Sequence, residues 1–96
     1  MKGKELLQLH QKQIKELAGA NGIKEIRIFG SVIRGEDHEN SDLDLLVEIE
    51  EERTLFDLIR FKQSVEDLIG RKVDVVTDRA IHWTLRDQIL NEAIQL

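Results

Sequence analysis

Residues 2–18 carry the first clear pattern in the chain. Leu7, His10, Ile14 and Leu17 recur at spacings of three and four, with Leu6 and Ala18 beside them. This is one face of an amphipathic helix. Gly19 supplies a stop, and Asn21-Gly22 a turn into the next element. The period then drops to two: Ile26-Arg27-Ile28-Phe29 alternates and ends in an aromatic ring, which predicts a strand. A second strand is expected where Asp42 and Asp44 lead into Leu43, Leu45, Leu46 and Val47. The acidic run Glu48, Glu50, Glu51, Glu52 marks its exposed end and a turn. Thr54 with Asp57 three residues on has the form of a capping box with Asp in place of Glu. Leu55, Leu58, Phe61, Val65 and Leu68 then predict a helix, widened by Phe56, Ile59 and Ile69 and ended by Gly70. The β-branched run Val73–Thr77 predicts a third strand. Residues 78–96 predict a turn and a last helix, with Leu85, Ile89 and Ala93 on one side and Leu90 and Ile94 nearby.

Strands that alternate with helices define the expected class: α/β (α+β), with one small mixed sheet in a single domain, residues 1–96. A chain of 96 residues buries a smaller share of its surface than a longer one, so it is expected to be modestly stable or partnered. A homo-oligomer stays open. The absence of Cys removes disulfides and thiolate metal sites. No apolar run approaches the roughly 20 residues of a membrane span, and no signal-peptide pattern is present, so cytoplasmic residence is expected. The net charge of −5 argues against a protein that tracks nucleic acid by neutralising phosphates. It does not exclude a triphosphate site, because bound Mg²⁺ brings its own charge.

Candidate chemistry concentrates in residues 29–47, FGSVIRGEDHENSDLDLLV. In a strand, Asp42 and Asp44 point to one face while Leu43, Leu45 and Val47 point to the other. Two carboxylates held this close repel unless a cation lies between them, and their hard oxygen ligands suit Mg²⁺. Gly30 permits backbone conformations closed to other residues and lets a ligand approach closely. Ser31 is expected to cap a one-turn helix whose N–H groups attract phosphate. Arg34 adds a charge-assisted contact, and Gly35 ends the helix. Read alone, Asp-x-Asp also fits a solvated strand start, and Gly-Ser an ordinary capped turn. Asp74 is a charge within an otherwise apolar strand, disfavoured unless paired, solvated or metal-bound.

The combination is more specific than its parts: ten residues separate Ser31 from Asp42, between two strands. The pattern resembles the signature of the DNA polymerase β-like nucleotidyltransferase superfamily. GSVIRGE…SDLDLLV is most similar to the minimal nucleotidyltransferases, small antitoxins paired with HEPN-domain toxins. The likeness is strongest over residues 26–49. Ile33 departs from it, standing where a small residue is frequent. The resemblance implies a three- or four-stranded sheet backed by helices on one face, with the site on the open side. It implies that Gly30 and Ser31 hold the triphosphate of ATP, with Arg34 beside them. It implies that Asp42, Asp44 and Asp74 hold two Mg²⁺ ions. It further implies transfer of AMP to a tyrosine hydroxyl of a HEPN toxin. Two other readings stay open: an antitoxin that neutralises its toxin by contact alone, and transfer to a small molecule such as an aminoglycoside. The latter lacks a recognisable substrate domain.

Three further residues have plainer readings. His10, on the apolar stripe, reads as a packed and hydrogen-bonded histidine, and residues 36–41, with His38, read as a mobile connector. Trp83 reads as a packing anchor or as part of a partner surface.

Overall fold

The computed structural model describes residues 1–38 and 40–96, so of the expected loop 36–41 only Glu39 lies outside the described residues. The first stretch forms two helices rather than one, α1 (Gly3–Leu9) and α2 (Gln11–Ala20), parted at His10 with φ −101° and ψ 16°. Leu7 and Ile14 both reach the core, each 0% exposed, so the apolar stripe survives the bend. His10 is half-buried, but its Nδ1 has no hydrogen-bond partner among the described residues, against the expectation of a satisfied ring.

Strand β1 (Ile23–Phe29) begins three residues before the alternating run. Ile23 pairs with Ile49 and Glu25 with Glu48, so an extra residue is accommodated on β1. Such a bulge breaks the two-residue period. Ile23 and Ile26, three apart, are therefore both buried, and simple alternation cannot register that. Then follow α3 (Ser31–Arg34), β2 (Leu43–Ile49), α4 (Leu55–Ile69), β3 (Val73–Thr77), α5 (Trp83–Glu92) and β4 (Ile94–Gln95).

Among the described residues four strands form one sheet in the order β3-β2-β1-β4. β1 runs antiparallel to both β2 and β4, whereas β2 and β3 are parallel and joined by the crossover helix α4. Leu43, Leu45 and Val47 on one face of β2 join Ile26, Ile28 and Val73 in the core. Leu7, Ile14, Ala18, Phe61, Val65 and Ile69 of the helices complete it.

The capping box expected at the start of α4 is present, with Asp57 Oδ2 accepting the Thr54 N–H at 2.9 Å. Its end is Gly70, at φ 70°, whose N–H donates to the Glu66 carbonyl at 2.8 Å. The expected stripe is only partly right. Phe61, Val65 and Ile69 are buried, while Leu55 and Phe56 are 67% and 74% exposed and Ile59 is also exposed. At roughly 100° per residue, those three fall about 120–160° away from Phe61 around the helix. The last helix is shorter than expected, and none of its residues is fully buried: Leu85 is exposed, while Ile89 and Leu90 are half-buried. Trp83, at 78% exposure, is no packing anchor. It stacks on His82, with ring centroids 5.8 Å apart. β4 was not expected, and after it the Leu96 N–H reaches the Ile26 carbonyl at 3.0 Å. Among the described residues no helix is long and apolar enough to cross a membrane.

Candidate functional site

The turn between β1 and α3 depends on Gly30. Its φ of 78° with ψ −150° lies where L side chains are strained. A Cβ there would also run into the Asp44 carboxylate. The turn and the second aspartate are thus in direct apposition. Gly30, not Ser31, is the N-cap of α3, and no side chain caps it. Ser31 is the first helical residue, so its hydroxyl is not spent on the cap. By helix geometry the N–H groups of Ser31 and Val32 lack a carbonyl one turn earlier. Buried Val32 anchors the short helix, and Gly35, at φ 69°, closes it. The closing bonds run from the Gly35 N–H to the Val32 carbonyl at 3.3 Å and from the Glu36 N–H to the Ser31 carbonyl at 3.0 Å.

Strand register gathers the carboxylates. Asp44 is the partner of Phe29 on one side and of Asp74 on the other. Asp42 stands one residue before β2 and is exposed. Asp74 is exposed on β3, an edge strand of the sheet, yet it faces Asp44 in the adjacent strand. Burial pushes the half-buried Asp44 carboxyl above its usual range. The negative charges of Asp74 and then Asp42 push it further, and Arg34 partly opposes them. Removal from solvent is thus the larger cause, and the two neighbouring carboxylates add to it. Among the described residues, no three Asp, Glu or His side chains are already gathered as metal ligands. The donor set nonetheless fits a hard divalent cation: it is all oxygen, and its central member is destabilised as an anion.

Arg34 lies at the end of α3 with its guanidinium exposed. Nε pairs with Glu36 at 3.2 Å and Nη1 with Glu92 at 3.4 Å. The Glu36 hydrogen bond, then its charge, hold the Arg34 proton more tightly than usual. The site therefore has a cation within electrostatic reach of Asp44, engaged by two carboxylates that a phosphate would have to displace.

The loop after Gly35 is not a plain connector. Asp37 is 1% exposed, and Oδ2 accepts the Gly3 N–H at 2.8 Å and meets Arg71 Nη1 at 3.4 Å. Burial alone would raise its carboxyl. The Gly3 N–H and the Arg71 guanidinium, helped by Lys2, outweigh that and hold it below the usual range. Sequence reasoning missed Asp37 and Arg71. Three of the six residues in 36–41 are acidic, and nothing in the sequence distinguishes the buried one. Beside Asp42 opens a cleft of about 390 Å³ lined by Asn40, Ser41, Asp42, Gly70, Arg71 and Lys72.

Comparison with known proteins agrees with this fold. Residues 7–96 match the family described as the nucleotidyltransferase domain. The protein adenylyltransferase MntA of Thermococcus cleftensis is 35% identical over 89 residues, spanning 93% of this chain and 87% of that protein. A solved structure provisionally described as a minimal nucleotidyltransferase superposes with a TM-score of 0.87 at 47% identity, over 96% of this chain and 94% of the other. A crystal structure of a toxin-antitoxin with AMP-PNP contains a chain that superposes with a TM-score of 0.74 at 25% identity, over 88% of this chain and 70% of that one. This chain belongs to the nucleotidyltransferase-domain family, as one of its minimal nucleotidyltransferases.

Proposed function

We propose that the protein moves AMP from ATP to a hydroxyl of a partner protein, a tyrosine of a HEPN-domain toxin, and acts as the antitoxin of that pair. The observation that carries this reading is the apposition of Gly30, Asp44 and Asp74 at one end of the sheet. The kinship with an adenylyltransferase, and with a toxin-antitoxin chain crystallised with an ATP analogue, supports ATP as the donor. The tyrosine and the HEPN partner rest on the resemblance of residues 26–49.

In this reading the N–H groups at the start of α3 and the Ser31 hydroxyl bind the β- and γ-phosphates. Arg34 exchanges a carboxylate partner for a phosphate oxygen. Asp42, Asp44 and Asp74 hold the Mg²⁺ ions. Bound there, such ions neutralise the triphosphate and make the acceptor hydroxyl more acidic. The acceptor oxygen forms a bond to the α-phosphorus, the bond from that phosphorus to the bridging oxygen breaks, and pyrophosphate leaves. Asp74, on the exposed edge strand, takes the hydroxyl proton.

The test uses ATP labelled on the α- or the γ-phosphate, incubated with the protein, Mg²⁺ and the partner. Label from the α-position is expected on the partner, and label from the γ-position in pyrophosphate. Transfer of the γ-label would make the protein a kinase. No label on a partner that is nevertheless silenced would make it an inhibitor by contact.

A further inference from the structure

Arg71 has no part in the chemistry above, yet its side chain is only 9% exposed and ties several segments together. Nη1 faces Asp37 Oδ2 at 3.4 Å. Nη2 donates to the carbonyls of His38 at 2.7 Å and Ser41 at 2.8 Å. Asp37 Oδ2 in turn accepts the N–H of Gly3, the first residue of α1, at 2.8 Å. Lys2 Nζ holds the carbonyls of Asp37 at 2.8 Å and Gly35 at 3.3 Å. The next residue, Lys72, accepts the Leu43 N–H on its carbonyl at 3.0 Å, where β2 meets β3.

Ser41 directly precedes Asp42, and Arg71 stands three residues before Asp74. We propose that the Asp37–Arg71 pair is a clasp that fixes Asp42 relative to Asp74, so that both members are positioning residues for nucleotidyl transfer. The proposal rests on the transfer reading above. Its physical basis is the shape of the guanidinium. A rigid fork can meet one carboxylate and two carbonyls at once, which a Lys ammonium on a flexible stem does poorly. Stability is a weak alternative explanation, because apolar residues of similar volume replace buried ion pairs at little or no cost. The pair is also incompletely satisfied: Asp37 Oδ1 and Arg71 Nε are buried without partners among the described residues. Partly satisfied buried polar groups are a costly way to stabilise a fold. What an apolar pair cannot supply is the hold on the His38 and Ser41 carbonyls.

Two variants separate positioning from stability. Asp37→Leu/Arg71→Met fills the space and removes both charges. Arg71→Lys keeps the charge opposite Asp37 and loses the fork. Each is compared with wild type by thermal melting, by amide hydrogen exchange at residues 41–43, by calorimetric titration of Mn²⁺ with AMP-PNP present, and by kcat and KM for ATP. The apolar pair is expected to melt close to wild type. Its amides at residues 41–43 exchange faster, and Mn²⁺ binding and kcat fall about 10–100-fold, the usual effect of losing groups that orient ligands. KM for ATP moves little, because the phosphate turn is untouched. Arg71→Lys shifts the same readouts in the same direction, and it decides the matter alone if the apolar pair does not fold. Wild-type exchange, Mn²⁺ affinity and kcat in the folded variant would overturn the clasp. If the wild-type protein transfers nothing, the transfer reading fails by itself, and the exchange and Mn²⁺ measurements still judge whether the pair sets Asp42.

Discussion

Asp44 of β2 and Asp74 of β3 are register partners in parallel strands, so two carboxylates face the same end of the sheet with no intervening residue. Parallel pairing aligns strand starts, and here both starts carry an aspartate. The cost falls on Asp44, which burial and its acidic neighbours hold above the usual carboxylate range.

That cost gives the first prediction. A carboxyl whose pKa is raised on folding favours the folded state at acid pH. The contribution is lost as pH rises through the raised value, because the unfolded chain then gives up its proton more easily. At neutral pH, ionised Asp44 therefore opposes folding of the metal-free protein. Asp44→Asn is expected to raise Tm at neutral pH, by less than the roughly 4–8 °C that one kcal/mol represents in a domain of this size. The gain should shrink as pH falls through the raised folded value, and it is gone below the ordinary carboxylate pKa of about 4, where the unfolded chain is protonated too. The same variant is expected to lose transfer. A neutral-pH Tm below wild type would contradict the electrostatic account.

Gly30 and Ser31 are expected to differ in kind. Gly30→Ala puts a side chain on a backbone at φ 78° and ψ −150°, a region essentially confined to Gly, at a cost of about 1–3 kcal/mol, and drives it against the Asp44 carboxylate. Both stability and nucleotide binding should suffer. Ser31→Ala removes one hydroxyl that caps nothing. Its fold should be intact and its ATP affinity about tenfold lower, as for the loss of one hydrogen bond to a charged group. Calorimetric titration with ATP and Mg²⁺, beside melting curves, checks both.

How much of this was legible in the chain depended on whether a residue acts through local pattern or through tertiary contact. The Gly30 turn, the Gly35 stop, the Asp57 cap and the third strand are written in spacings of one to four residues, and all of them formed. That Asp74 belongs with Asp42 and Asp44 is an expectation from the family likeness, whereas its register opposite Asp44 comes from the parallel pairing of β2 and β3, which no local pattern encodes. Four features were hidden. The bulge after Ile23 changes the face of a strand without changing its composition. The bend at His10 interrupts a stripe that reads as continuous. Leu55 and Phe56 look apolar enough for a core that α4 turns away from them. Asp37 becomes special only when Gly3 and Arg71, more than 30 positions away in either direction, close on it.

Arg34 offers a third test. Its guanidinium is exposed and shared between Glu36 and Glu92. Exposed ion pairs contribute little to stability, so Arg34→Ala should leave Tm unchanged. If the side chain turns to the triphosphate, KM for ATP should rise about tenfold, the scale of one charge-assisted contact. Glu92→Gln removes a competitor for the guanidinium and should lower KM. An unchanged KM in both variants would remove Arg34 from the nucleotide site.

The most direct measurement of the central claim is the intact mass of the partner toxin after incubation with this protein, ATP and Mg²⁺. The account predicts a gain of one or more AMP units, located on tyrosine. Because the protein itself contains no Tyr, any tyrosine-linked AMP must be on the partner. Asp42→Asn and Asp74→Asn, both folded, should leave the toxin mass unchanged and the toxin active. A toxin silenced by wild-type protein at unchanged mass, or modified equally well by either aspartate variant, would contradict the account.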